Sequence, residues 1–151
     1  MNVEPIWEPS ESTRRQARIT AYQDWLKTER GLTFGSYDEL WKWSVSDLEG
    51  FWASIWDYFD IRAARRYERV LAERRMPGAV WFPGAQLNYV DQVFRNASDS
   101  RPAIVFDNES GGAAQVSWRE LSRQTASLAA YLRRCGVARG DRVVAYMPNI
   151  P

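Results

Sequence analysis

The sequence predicts an α/β fold, and α+β within its own 151 residues: a Trp-rich helical part followed by the opening elements of a sheet-based layer. Three observations carry this. Apolar residues recur at three- and four-residue intervals through the first half, the period of an amphipathic helix. Beyond Arg101 the texture changes to short apolar runs separated by turn residues. Strand, hairpin, helix and strand then follow one another, which is how an α/β layer begins. The division is expected near residue 88, with 1–88 helical and 89–151 the start of the sheet-based domain.

The first helix is expected from Thr13 to Arg30, with Ala17, Ala21, Tyr22, Trp25 and Leu26 on one face and Gly31 at its C-terminus. Ser36 with Glu39, and Ser46 with Glu49, have capping-box spacing, so two further helices should start there. In the second, Leu48, Phe51, Trp52, Ile55, Trp56 and Phe59 form a wide apolar stripe. Core packing is the expected use of these rings, ahead of ligand stacking. Residues 62–75, "RAARRYERVLAERR", read as a helix with a solvated arginine face balanced by Glu68 and Glu73, broken by Met76-Pro77-Gly78. "AVWFPGAQLNY" reads as a loop, closed by Asn88 capping a helix through Ala97 whose apolar positions are Val90, Val93, Phe94 and Ala97.

"PAIVF" and "AQVSW" read as a strand and its return across "DNESGGA". Gly111-Gly112 in that turn is not a phosphate cradle, because a strand follows it and no Lys-Ser or Lys-Thr stands behind it. Ser117 and Glu120 give a third capping-box spacing. Its helix keeps Leu121, Leu128, Ala129 and Leu132 on one face and ends before Gly136. "ARGD" then turns the chain into an apolar run, Val143 to Met147, expected to be a buried strand. Such a strand needs neighbours on both sides, so the chain reads as incomplete.

Composition narrows the function classes. Lys plus Arg is 20 and Asp plus Glu 19, a balance that makes no electrostatic case for nucleic acid or an anionic membrane. There is no His, which removes His-based acid–base chemistry, the Ser/His and Cys/His nucleophile pairs and most zinc sites. The single Cys135 excludes an internal disulfide and is expected to be a small buried residue at a helix end. No signal peptide or membrane span is visible, and cytoplasm is the expected compartment. The Asn96 and Asn108 glycosylation triplets are accordingly read as chance.

Three stretches together resemble the N-terminal region of acyl-CoA synthetases of the adenylate-forming superfamily. "YDELWKWSVSDLEGFWASIWDYF" is similar to the family's Tyr-x-x-Leu-x-x-Trp-Ser-Val…Phe-Trp signature, and "MPGAVWFPGAQLNYVDQVF" to its Trp-Phe-Pro-Gly…Leu-Asn-Tyr loop. "SWRELSRQTASLAAYLRRCGVARGDRVVAYMPNIP" resembles the helix, Gly-Asp-Arg-Val turn and Met-Pro-Asn strand end found across the superfamily. The first two pieces point to the branch with a long N-terminal extension, and within it to the acetoacetyl rather than the acetyl or propionyl members.

The resemblance implies a Trp-rich helical extension joined to the first strands and helix of an adenylate-forming large domain. It implies acetoacetate attacking ATP to give an acyl-adenylate and pyrophosphate, then thioester formation with CoA, with Mg²⁺ neutralising phosphates. The phosphate loop, the ribose-binding acid and the catalytic Lys lie downstream in such enzymes. No catalytic, cofactor-binding or metal-binding residue is therefore carried onto this chain, and the expected partner is the remainder of its own polypeptide. Arg142 is expected only to pair or cap, and Pro148-Asn149 at most to lie near a ligand crevice. The alternatives are a portion of another short-chain acyl-CoA synthetase, or a stand-alone Trp-rich interaction module. Self-association through exposed aromatics is expected if the chain stands alone.

Overall fold

The computed structural model describes residues 6–109 and 112–148, which form two compact units dividing between Leu87 and Asn88. The first unit opens with α1 (Glu11–Gln16) and α2 (Arg18–Arg30), not with one continuous helix. Ala17 breaks the expected Thr13–Arg30 helix by turning extended, with ψ 141°. The Thr20 hydroxyl donates to the Arg14 carbonyl at 2.7 Å, so a side chain satisfies the end of α1 where a further helical N–H would have done so. Gly31 closes α2 as expected, left-handed at φ 66°, a conformation that favours glycine.

Ser36 caps α3 (Tyr37–Ser46) by accepting from the Glu39 N–H, while the Glu39 carboxylate reaches back to the Gly35 N–H at 2.7 Å. The second capping box is displaced. Ser46 is the last residue of α3, and Asp47 caps α4 (Leu48–Tyr58) by accepting from the Gly50 N–H at 3.0 Å. The same carboxylate accepts from the Trp43 indole, tying the end of α3 to the start of α4. A Cβ on Gly50 would run into that carboxylate, so the glycine makes room for the cap.

Tyr22, Leu26 and Leu40 are the buried centre of this unit, with Trp25, Leu32, Phe34, Trp43, Phe51, Ile55 and Tyr58 packed around them. The rings meet largely edge to face, as in Tyr22–Tyr58 at 5.0 Å and Trp43–Phe51 at 5.7 Å, the arrangement their quadrupoles favour. The stripe on α4 thus packs as expected on its inner side, with Trp56 buried, but Trp52 and Phe59 reach the surface.

Residues 62–75 are not a helix. Asp60 turns left-handed after α4, and the chain runs back alongside residues 82–86. There the Ala64 N–H donates to the Gln86 carbonyl, Glu68 to Pro83, and Phe82 to Val70. Extended pairing lets Tyr67 meet Trp56 at 4.9 Å and Phe82 at 5.1 Å, which a helical path over these residues would forgo. Strands β1 (Leu71–Glu73) and β2 (Val80–Trp81) pair antiparallel across a bulge, so part of the expected loop is a short hairpin. Asp57 accepts from both Arg30 and Arg66, pinning the ends of α2 and α4 to this segment.

In the second unit Asn88 caps α5 (Tyr89–Phe94), which stops short of the expected Ala97. Strands β3 (Ile104–Phe106) and β4 (Ala114–Val116) form the expected antiparallel hairpin. Ser117 caps α6 (Trp118–Arg134) by accepting from the Glu120 N–H. Hydrogen bonds from Arg123 and Gln124 pull the exposed Glu120 carboxyl down to about 2. Two expectations are corrected here. Cys135 is exposed, because α6 ends in solvent at that point. Val143–Met147 pairs with no strand among the described residues, and Val143, Val144, Tyr146 and Met147 are exposed. Apolar content marks a segment able to join a sheet, but β3 and β4 pair only with each other.

Candidate functional site

The first unit carries an apolar groove of about 490 Å³ between α2, α3 and α4. Each helix contributes one face at helical spacing: Arg18, Ile19 and Tyr22 from α2, Tyr37, Leu40, Trp41 and Ser44 from α3, and Phe51, Ile55 and Tyr58 from α4, with Phe59 at its C-cap. The three helices lie against one another through the Tyr22–Leu26–Leu40 core, so the groove is the outer side of a packed aromatic cluster. Its rim is open, with Tyr37 68%, Trp41 52% and Phe59 54% exposed.

Two hydroxyls of the groove, those of Tyr22 and Ser44, are already hydrogen-bonded. The Tyr22 hydroxyl and Ser54 Oγ share a buried hydrogen bond of 2.6 Å, and Ser54 also donates to the Phe51 carbonyl at 2.6 Å. Burial holds the Tyr22 phenol above its ordinary value of 10.0, the Ser54 hydrogen bond opposing in part. Ser44 donates to the Trp41 carbonyl at 2.7 Å. Arg18 is the one charged side chain lining the groove, and among the described residues it makes no ion pair. It opens α2, whose N-cap Ala17 offers no capping side chain and whose first turn has no acid, so the potential there is positive. The arrangement presents a largely apolar surface. It sets no nucleophile beside a base.

Elsewhere a polar hollow of about 510 Å³ is lined by Ser98–Pro102, Gln115 and Ser117–Arg119 at the start of α6. Arg142 is exposed, and the neighbouring turn is held instead by Asp141 accepting from the Ala138 N–H at 2.7 Å. Pro148 is exposed, and Asn149 lies outside the described residues, as do Gly111 and Ser110 of the motifs noted above. No helix of the described residues is long and apolar enough to cross a membrane. Among those residues no three His, Cys, Asp or Glu side chains converge to hold a metal. No chemical step is assigned to these residues.

The groove's α3 wall, and Arg18 and Ile19 of its α2 wall, escaped the sequence reading, which had placed Tyr22 on the apolar face of its helix. Tyr37, Leu40, Trp41 and Ser44 stand at i, i+3, i+4 and i+7, a signal present in the sequence but overshadowed by the stronger stripe on α4.

Two family models match the chain in succession: the acetyl-coenzyme A synthetase N-terminus over residues 37–93 and the AMP-binding enzyme model over residues 91–151. The chain belongs to the adenylate-forming superfamily. Within it, the chain is similar to acetoacetyl-CoA synthetases. It is 34% identical to that of Rattus norvegicus over 99% of this chain and 22% of the relative. It is 31% identical to that of Rhizobium meliloti over 97% of this chain and 22% of the relative. The solved acetoacetyl-CoA synthetase from Streptomyces lividans superposes with a TM-score of 0.89 at 46% identity, covering 99% of this chain and 24% of that one. The chain therefore spans about 22% of the length of the known relatives it matches.

Proposed function

We propose that this chain is the N-terminal portion of an ATP-dependent acetoacetate–CoA ligase and is itself non-catalytic. The observation that carries this is the nearly end-to-end likeness to acetoacetyl-CoA synthetases, 46% identical at a TM-score of 0.89 for the Streptomyces lividans enzyme. In this reading residues 1–88 are the helical extension and residues 89–151 the start of the AMP-binding domain. The whole enzyme joins acetoacetate to ATP as an acyl-adenylate, releasing pyrophosphate, then transfers the acyl group to CoA with release of AMP. ATP, Mg²⁺ and CoA belong to that whole enzyme, which is cytoplasmic. Within it, these residues serve as scaffold for the remainder of their own polypeptide.

Acetoacetate-dependent ATP–pyrophosphate exchange tests this. The full product of the gene should exchange with acetoacetate and far less with acetate or propionate, and the 151-residue chain should not exchange at all. Preference for acetate or propionate would move the parent to another short-chain acyl-CoA synthetase. Turnover by residues 1–151 alone would overturn the non-catalytic assignment.

A further inference from the structure

We draw no further inference here: the strongest candidate, the open apolar groove between α2, α3 and α4, carries nothing beyond the scaffold role already proposed, because nothing in the structure shows what covers it.

Discussion

Tyr22 and Ser54 show how one hydrogen bond orders the centre of the helical unit. The hydroxyls meet at 2.6 Å, in a place where Tyr22 is 6% and Ser54 1% exposed. Removing either partner has unequal consequences. Tyr22→Phe leaves Ser54 still donating to the Phe51 carbonyl and should cost about 1 kcal/mol, whereas Ser54→Ala strands a buried phenol and should cost about 1–3 kcal/mol. Urea denaturation of both variants checks this order. The raised Tyr22 pKa also carries a pH signature. Folding favours the neutral phenol, so its contribution is complete below the ordinary value of 10.0 and is lost as pH rises through the higher folded value. Wild type should therefore lose stability above about pH 10 more steeply than Tyr22→Phe. Equal alkaline slopes would show that the burial of Tyr22 does not act on its ionisation.

At the scale of elements, caps decide where helices begin, and one helix lacks its cap. Ser10, Ser36, Asp47, Asn88 and Ser117 each accept from an N–H of the following turn. α2 starts from Ala17, which has no side-chain acceptor although its backbone is already extended at φ −65° and ψ 141°. Ala17→Asp should therefore supply the missing acceptor and place a negative charge at the positive end of α2. A gain of about 0.5–1.5 kcal/mol is expected, read as a higher denaturation midpoint. An unchanged or lowered midpoint would mean that the break between α1 and α2 depends on a small side chain.

For the whole molecule, the unpaired run from Val143 to Met147 matters most. Tyr146 is fully exposed and Val144 nearly so, an apolar strip with free backbone groups, which is the form that recruits another strand. Amides over Val143–Met147 should exchange with solvent quickly in a verified monomer of the 151-residue chain, and sedimentation should shift with concentration as copies associate. Slow exchange in the monomer, or a constant sedimentation coefficient at high concentration, would contradict this.

Local signals in the sequence determined much of this protein. Gly31, Ser36, Asn88 and Ser117 marked helix ends because capping needs particular side chains or a particular backbone at particular places. The Ile104–Phe106 and Ala114–Val116 hairpin followed from short apolar runs about a turn. Family membership followed from aromatic and proline–glycine motifs in a fixed order, matched afterwards over residues 37–93 and 91–151. Long-range contacts decided the rest. Residues 62–75 have helical composition, yet pairing with residues 82–86 and the Trp56–Tyr67–Phe82 cluster outweighs local preference. Thr20 and Arg14 end α1 early, by a hydrogen bond between residues that a continuous helix would have kept apart. The groove exists only once three helices bring their separate faces together. No single face encodes it, because a cavity is a property of how surfaces meet.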